Sequence, residues 1–485
     1  MPFDWSISAG PDDEVPGRGG RDLLVAPDES SGRRAGLERA LRDAIRAGRL
    51  VPGARLPSSR TLAADLGWAR GTVAAAYEQL VAEGWLVARA GAGTVVAAAA
   101  PAAAATVAAP RAERLPRHDL RAGSPDVSTF PRNAWAAAIR RVLREAPDAA
   151  LHLGDPRGPV ELRRTLATYL GRARGVVAAA ERIVVTTGFV QGLGLLTAAI
   201  RGAGGRPVVA MEDPCLPQHR DVIRAARLPI TALPVDDGGA RVDLLGDAAA
   251  AIVTPAHQLA LGSTLAPDRR AALVAWAREA GAIVLEDDYD GEFRYDGRPV
   301  GALQALAPEH VVYAGTVSKA LAPVLRLAWL VLPEHLVERV VEAKRLADHA
   351  SPALDQLALA LLIEAGELDR HLRRSRTRYR RRRDALLAAL AGRAPAVTPL
   401  GIAAGLHVTL ALPPGAPPEA DVLEAAAARS LALTGLKRFW HTPGERPTHV
   451  LAGYATPPDH AFARAVDALA ALLEGITRGA ARPGS

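Results

Sequence analysis

The chain has 485 residues, of which 49% are hydrophobic and 23% are charged, and its formal net charge is +7. This composition is typical of a soluble globular protein with two or three domains. Cys215 is the only cysteine, which excludes an intrachain disulfide and a cysteine-based metal cluster. We therefore expect no metal site.

Charge is distributed unevenly along the chain. Residues 1–32 sum to −5, with Asp12, Asp13 and Glu14 standing among glycines and prolines, a pattern unlike that of a signal peptide. We expect a cytoplasmic protein whose N-terminal extension is flexible at its start. Residues 33–96 sum to +5, with ten arginines against five acids. A compact basic module of this kind hints at nucleic acid binding.

The first basic segment has the pattern of helix, turn, helix. Apolar residues recur at helical spacing from Leu37 to Ile45 and predict a first helix. A second short helix follows a cap at Ser58 or Ser59, and Gly67 supplies a tight turn into a third helix from about residue 70 to 83.

Two short runs, 85–89 and 94–96, flank a glycine-rich tip and predict a two-stranded ribbon, which would be a wing. With the ribbon, the segments Gly53–Gly67, Arg70–Val73 and Tyr77–Leu80 closely resemble the winged helix of the GntR superfamily of bacterial regulators. The resemblance covers about sixty residues. It implies a DNA-binding domain over residues 33–96.

The resemblance also implies which residues meet DNA. Arg70 and Thr72 would open the recognition helix that reads the major groove, while Ser59 and Arg60 would approach phosphates and Arg89 would serve the wing. The full predicted DNA-binding set is Ser58, Ser59, Arg60, Arg70, Thr72, Tyr77, Arg89, Gly91, Gly93 and Thr94. The alternative is a winged helix that makes only protein contacts.

Residues 97–117 are rich in alanine and proline, and we expect them to form a semi-extended tether to a large domain over residues 118–485. In that domain, apolar strand-like runs alternate with helical stretches. The runs are 207–211, 251–253, 282–285, 311–313 and 325–332. Such alternation predicts an α/β domain whose parallel sheet has helices on both faces and binds ligands at the carboxyl ends of its strands.

Polar residues follow three of these runs, and Lys319 stands out among them. The chain has only three lysines, against 56 arginines. A lysine amine can lose its proton and form a Schiff base, which arginine cannot do. A lysine for an aldehyde, an aspartate for a pyridine nitrogen and a phenol for a ring hydroxyl, together with phosphate donors, predict a pyridoxal phosphate pocket.

The large domain resembles the fold-type I aminotransferases. With the winged helix ahead of it, the chain resembles the MocR/PdxR-type regulators, from Arg121–Asp126 through Gly154–Gly158 to Ser318–Arg326. The resemblance implies that Lys319 is the Schiff-base lysine, that Asp287 pairs with the pyridinium nitrogen and that Tyr289 meets the ring hydroxyl. His257 or Gln258 would add a contact to the ring oxygen, and both alternatives stay open. The full predicted cofactor-binding set is Asp287, Tyr289, Thr187, Gly188, Phe189, His257, Gln258, Thr316, Ser318, Lys319, Arg326 and Leu216.

Three leucines depart from the family pattern. Leu216 stands where an aromatic residue stacks on the cofactor ring, and Leu153 where a tyrosine reaches across the dimer. Leu451 aligns with the arginine that binds the substrate carboxylate in aminotransferases, and a bidentate clamp is hard to replace. His407, Arg446 or His449 could compensate. We therefore expect a sensor more than an efficient transaminase.

The sequence thus predicts a DNA-binding transcriptional regulator that senses pyridoxal phosphate, or its adduct with an amine or amino acid, and forms a head-to-tail homodimer by resemblance. One alternative is an active aminotransferase with an attached winged helix. Another is a regulator whose pocket binds a different effector. Residues 370–383 contain nine arginines, which form either a solvated helix face paired with acids or a second DNA-contacting surface.

Overall fold

The computed structural model describes residues 27–28, 32–89, 93–98, 116–201, 207–297 and 300–480. The chain divides into two compact units, Met1–Arg114 and Leu115–Ser485. Most of the predicted N-terminal extension and tether lies outside the described residues, and these two predictions remain untested. No helix within the described ranges is long and apolar enough to cross a bilayer.

The first unit has the predicted three helices and hairpin. They are α1 (Arg33–Arg46), α2 (Ser59–Leu66), α3 (Arg70–Ala82), β1 (Leu86–Arg89) and β2 (Gly93–Val96). Ser58 caps α2, because its side chain accepts a hydrogen bond from the Thr61 backbone N–H. Gly67 ends α2 in the left-handed region, with φ 67°. Leu37, Leu62 and Leu80 meet in one core, so the winged helix is confirmed.

The second unit contains ten helices and fourteen strands among the described residues. The helices are α4 (Arg132–Glu145), α5 (Val160–Arg174), α6 (Phe189–Arg201), α7 (Pro217–Ala225), α8 (Pro267–Ala280), α9 (Glu334–Ala347), α10 (Ala353–Glu364), α11 (Glu367–Arg393), α12 (Glu419–Ala428) and α13 (Asp459–Ala480). The strands are β3 (His118–Asp119), β4 (Ile183–Thr186), β5 (Val209–Asp213), β6 (Ile230–Asp236), β7 (Gly239–Ala240), β8 (Ala250–Val253), β9 (Ile283–Asp288), β10 (Val311–Thr316), β11 (Ala328–Val331), β12 (Thr398–Leu400), β13 (Val408–Ala411), β14 (Leu431–Ala432), β15 (Thr434–Gly435) and β16 (His449–Ala452).

Eight strands form the main sheet, in the order β4-β11-β10-β9-β8-β5-β6-β7. The predicted parallel sheet is in fact mixed, with an antiparallel strand at two places. β11 runs antiparallel to both of its neighbours, and β7 runs antiparallel to β6. Both strands follow short connections without a crossover helix, and a parallel neighbour would need a longer one. The central strands β10, β9, β8, β5 and β6 are parallel, as expected.

Helices cover both faces of this sheet, which explains its continuous apolar runs. Along β9, Ile283 and Leu285 pack with residues of α6 and α9, whereas Val284 between them packs with α8. A second, antiparallel sheet has the order β12-β13-β16-β15. It places β16, and with it Leu451, beside the loop that follows β8 through a hydrogen bond from Thr409 to the Ala260 carbonyl.

Candidate cofactor pocket and DNA-binding surface

The predicted cofactor residues gather at the carboxyl ends of the parallel strands. Asp287 and Asp288 end β9, and Tyr289 follows directly. Thr316 ends β10, with Ser318 and Lys319 in the turn after it. His257 and Gln258 follow β8, whereas Thr187 and Gly188 join β4 to α6. Because neighbouring parallel strands end at the same edge, the fold brings these four segments together.

Lys319 lies at the centre of this edge. Its Nζ donates a hydrogen bond to the Gly123 carbonyl, and a Cβ added at Gly123 would lie 3.6 Å from Nζ. Burial lowers the pKa of Lys319, while the nearby Asp290 and Asp287 carboxylates act in the opposite direction. A lowered pKa makes the amine a better nucleophile toward an aldehyde.

The other two lysines have ordinary structural positions. Lys344 is fully buried, and its Nζ lies 2.8 Å from Asp348 Oδ2 and 2.7 Å from Ser351 Oγ. Lys437 is exposed. Of the three lysines, only Lys319 combines burial at the sheet edge with a backbone carbonyl as its hydrogen-bond partner.

Asp287 is a buried carboxyl beside other acids. Burial raises its pKa well above the ordinary range, and Asp288, Asp290 and Glu212 raise it further, while Lys319 lowers it. Asp288 is neutralised separately, since Arg174 Nε lies 2.7 Å and Tyr313 Oη lies 2.8 Å from its Oδ2. Asp287 is therefore the carboxyl left to share a proton with a buried basic nitrogen.

Tyr289 and His257 form one linked group. The His257 Nδ1 atom lies 3.1 Å from Tyr289 Oη and 2.9 Å from Asp290 Oδ2. Burial, followed by the charge of Asp290, raises the pKa of Tyr289 well above its ordinary value, so the phenol keeps its proton at neutral pH. Sequence reasoning missed Asp290, although an acid directly after Tyr289 was a visible signal.

Gln258 faces away from that group. Its Nε2 donates to Pro214 O (2.8 Å) and Glu212 Oε2 (3.2 Å), and its Oε1 accepts from the backbone N–H groups of Ala260 and Leu261. The amide is thus fully used in shaping the loop after β8. The structure links His257, rather than Gln258, to the phenol.

A set of donors surrounds the start of α6. The Thr316 hydroxyl lies 2.9 Å from Ser318 Oγ. Gly188 has φ 128°, and a Cβ there would collide with the guanidinium of Arg326. The Thr187 backbone N–H is already bonded to Gln191 Oε1, at 2.8 Å. Hydroxyls, a guanidinium and a helix N-terminus form a cradle that suits a phosphate.

An apolar group, here called the leucine cluster, lies beside Lys319. Its buried members are Ala260, Leu436, Phe439 and Leu451, and its half-buried neighbours are Ala122, Leu216, Leu259 and Leu261. Ala122 precedes Gly123, the partner of Lys319 Nζ. Leu216 replaces the family's ring-stacking aromatic residue, and Leu451 replaces the arginine that binds the substrate carboxylate. Both leucines therefore belong to one apolar surface.

His219 was not identified from the sequence. It stands one helical turn after Leu216 in α7, and its ring packs 4.5 Å from that of Phe189 with 38° between the planes. Burial, and then the charge of Lys319, lower the pKa of His219 to about 4. The imidazole is therefore neutral at physiological pH. Its spacing from Leu216 was the only available signal.

The predicted DNA-binding residues of the first unit fall into two groups. Arg60, Arg70 and Arg89 are exposed and have no acidic partner within the described ranges. Tyr77, by contrast, is buried, and its hydroxyl donates to the Pro57 carbonyl at 3.1 Å. Ser58 uses its hydroxyl as the cap of α2. Ser59, Thr72 and Thr94 are half-buried and Gly93 is exposed, whereas Gly91 lies outside the described residues.

The arginine-rich segment lies in α11, where some of its arginines pair with acids of the same domain, while a DNA-contacting role remains a prediction. Arg382 is buried against Asp126 and Asp459, at 2.9 and 2.5 Å. Within the described part of the chain, the exposed Arg373, Arg374 and Arg381 have no acidic partner. Ion pairing within the domain accounts for part of the helix and leaves a basic surface.

Comparison with known proteins places both units. The model of the bacterial regulatory proteins of the gntR family matches residues 34–96, and that of the class I and II aminotransferases matches residues 118–421. The chain is 33% identical to the HTH-type pyridoxine biosynthesis transcriptional regulator PdxR of Corynebacterium glutamicum, over 87% of this chain and 92% of that protein. It is also 33% identical to the probable rhizopine catabolism regulatory protein MocR of Rhizobium meliloti, over 73% and 76% of the two chains.

Solved structures of enzymes resemble the large unit. The α-aminoadipate aminotransferase LysN of Thermus thermophilus, solved with N-(5'-phosphopyridoxyl)-L-leucine, has a TM-score of 0.67 at 26% identity, over 74% of this chain and 92% of that chain. The multiple substrate aminotransferase of Thermococcus profundus has a TM-score of 0.68 at 26% identity, over 76% and 93% of the two chains. The predicted aminotransferase fold is confirmed.

Proposed function

We infer the function from one premise: this chain belongs to the HTH-type transcriptional regulators of the MocR/PdxR type, in which a GntR winged helix precedes an aminotransferase-like domain. We propose that it binds a DNA operator through residues 33–96 and holds pyridoxal phosphate as a Schiff base on Lys319. Cofactor binding then acts as a signal. A protein with this task works in the cytoplasm.

The observation that carries the proposal is the convergence of Lys319, Asp287 and the phosphate cradle at one edge of the sheet. Pyridoxal phosphate supplies an aldehyde that condenses with amines and a ring that withdraws electrons. The raised pKa of Asp287 suits it to hold a proton against a ring nitrogen. Arg326, Thr316 and Ser318 would fix the phosphate, and the Tyr289 phenol would donate to a ring oxygen.

The pocket supports sensing better than turnover. A transaminase must hold its substrate carboxylate in register with the proton-transferring lysine, and a guanidinium clamp does this well. Leu451 is fully buried within the leucine cluster instead. His407, one possible substitute, donates a hydrogen bond from its Nε2 to the Leu259 carbonyl oxygen at 2.7 Å, and burial lowers its pKa to about 4. It therefore offers no positive charge at neutral pH.

The DNA half rests on the exposed arginines at the start of α2 and α3. Arg60 is free to meet phosphates, Arg70 is free to reach the major groove, and Arg89 stands on the hairpin. Tyr77 would contribute by joining α3 to the segment before α2, and Ser58 by capping α2. A ligand shifts the regulator only as far as it prefers one arrangement of the protein over another.

A homodimer is part of the proposal. The large unit carries an open cleft of about 710 Å³ between α4, α5 and α10, lined mainly by apolar side chains. Leu151 and Leu153 beside it are 68% and 75% exposed. Exposed apolar surface of this kind is typical of a protein interface. Light scattering of the purified chain should give twice the mass of one chain.

Two measurements test the proposal. Adding pyridoxal phosphate to the purified chain should produce a Schiff-base absorbance band distinct from that of the free cofactor, whereas the absence of that band would favour a different effector. The chain should also bind DNA from the region upstream of its own gene, with an affinity that falls steeply as the salt concentration rises. The alternative of an active aminotransferase is favoured by the presence of both Lys319 and Asp287. Multiple-turnover conversion of an amino acid and a keto acid would support that alternative instead.

A further inference from the structure

The leucine cluster lies near Lys319 and is here treated as one wall of its pocket. Two observations place it there. Ala122 adjoins Gly123, whose carbonyl accepts from Lys319 Nζ. Leu216 is the N-cap residue of α7. The same helix carries His219, whose pKa is lowered first by burial and then by the charge of Lys319. An amine bound where Lys319 reacts would therefore extend its tail along apolar side chains.

One exposed cation meets this wall, since the guanidinium carbon of Arg438 lies 5.6 Å from the ring centroid of Phe439. Within the described residues, no buried cation faces the wall with a guanidinium free for a carboxylate. The terminal nitrogens of the buried Arg220 are held by main-chain carbonyls, with Nη1 at 2.6 Å from Phe439 O and Nη2 at 2.9 Å from Arg438 O. Its Nε is left as a single donor, which cannot make the paired bonds of a carboxylate clamp.

Two further arginines are also occupied. Arg121 makes two bonds to Asp119, at 2.9 and 2.6 Å. Arg326 lies against Gly188 in the phosphate cradle. Burial, with a contribution from the charge of Lys319, lowers the pKa of His219 and of His407 to about 4. Neither is a cation at neutral pH.

Buried acids also act on the lysine. Asp290 and Asp287 oppose the lowering of its pKa, and both are buried, as is Glu212. A ligand carboxylate placed between these acids and the leucine cluster would lose its hydration without gaining a buried partner. Such a loss costs several kcal/mol unless the group is paired or neutralised. An apolar tail at the same place loses nothing and gains roughly 25 cal/mol for each Å² removed from water.

We propose that this pocket selects a primary amine with an apolar tail and without a carboxylate, bound as its adduct with pyridoxal phosphate. This inference rests on the proposed function and names the ligand class of that site. It makes the regulator a sensor of an amine such as the product of an amino-acid decarboxylation, rather than of the amino acid itself. The leucine cluster, to which Leu451 and the adjoining Leu216 contribute, is the element that discriminates between the two ligands.

A matched pair of probes tests this selection without any reaction at the pocket. Pyridoxal phosphate joined to 3-methylbutylamine by reduction differs from its L-leucine counterpart only by the carboxylate. Both are titrated calorimetrically into the cofactor-free, full-length chain, with free pyridoxal phosphate as a third titration. The amine adduct should bind at least about tenfold more tightly than the leucine adduct. Equal binding, or tighter binding of the leucine adduct, would overturn the inference.

Variants at one position sharpen the result. Leu451→Arg should raise the affinity for the leucine adduct and narrow or reverse the ratio, whereas Leu451→Met should leave the ratio near that of the wild type. If the arginine variant fails to fold by circular dichroism, the wild-type ratio alone decides. Binding of free pyridoxal phosphate with no preference between adducts would reject only the ligand class, whereas no binding of any of the three would reject the proposed cofactor site itself.

Discussion

The two units of this chain present their functional residues in opposite ways. Arg60, Arg70 and Arg89 of the winged helix are exposed and unpaired within the described ranges. Asp287 and Tyr289 of the pocket are buried, and their environment shifts their pKa values strongly. Exposed arginines that bind DNA phosphates stay hydrated and need no partner within the protein. The buried groups of the pocket have lost their hydration and need partners within the protein. Changes in the first unit should alter binding alone, and changes in the second should alter stability as well.

The largest expected effect is at Lys319. Lys319→Ala should abolish the Schiff-base absorbance band, which is distinct from that of free pyridoxal phosphate, because no other described group at the sheet edge offers an amine. Lys437→Ala is the matched control, since Lys437 is exposed and should leave the band unchanged. Spectrophotometric titration of both variants measures the effect. A Schiff-base band of full intensity in Lys319→Ala would show that Lys319 does not hold the cofactor.

The next effect concerns the buried acids. Arg174→Ala leaves Asp288 buried without its guanidinium, which costs roughly 3 to 5 kcal/mol of unfolding free energy. The pair is 6% and 1% exposed, with 2.7 Å between Nε and Oδ2. Arg241→Ala removes a similar but exposed pair with Asp243 and should change stability little. Urea denaturation measures the unfolding free energy of both variants. Equal losses of unfolding free energy would show that the buried ion pair contributes no more to stability than the exposed one.

In the winged helix, the double variant Arg60→Ala, Arg70→Ala should bind operator DNA about tenfold to a hundredfold more weakly. The slope of log affinity against log salt should fall by about one, because the phosphate contact of Arg60 is lost, whereas the loss of Arg70 should relax the base preference. The melting temperature should stay close to that of the wild type, since both side chains are exposed. Arg49→Ala, exposed in the turn after α1, is the control. A large loss of stability, with no change in the salt dependence of DNA affinity, would contradict the view that these arginines act in DNA binding alone.

The smallest effect is a pH dependence. The pKa of His407 is lowered from 6.5 to about 4, mainly by burial. The unfolded imidazole binds a proton first as the pH falls, so stability is complete above pH 6.5 and is lost progressively toward pH 4. His407→Gln should remove this loss, by about 2 kcal/mol at pH 5. His460→Gln, at an exposed position, should not. Denaturation at pH 7 and pH 5 measures the difference.

Much of this architecture could be predicted because it depends on local patterns. Helical spacing, the cap at Ser58 and the turn at Gly67 specify the winged helix over short distances. The cofactor residues could be grouped because polar segments directly follow buried strands. The direction of β11 could not be predicted, because it depends on a short connection from β10 and on pairing with the distant β4.

The finer arrangement of the pocket depends on contacts between distant segments. Gln258 is drawn away from the phenol by Glu212 and Pro214, which lie on another strand and its following loop. His219 enters the pocket only because α7 packs beside Phe189. Leu451 was identified as a departure from the family pattern, yet its membership of one apolar surface with Leu216 required the tertiary structure.

The central claim is that the pocket on Lys319 controls the DNA-binding unit. The most direct test measures operator affinity by electrophoretic shift, with and without pyridoxal phosphate, in the wild type and in Lys319→Ala. The account predicts that the cofactor changes the wild-type affinity at fixed salt and leaves the variant unaffected. An unchanged wild-type affinity, or an equal change in Lys319→Ala, would contradict it.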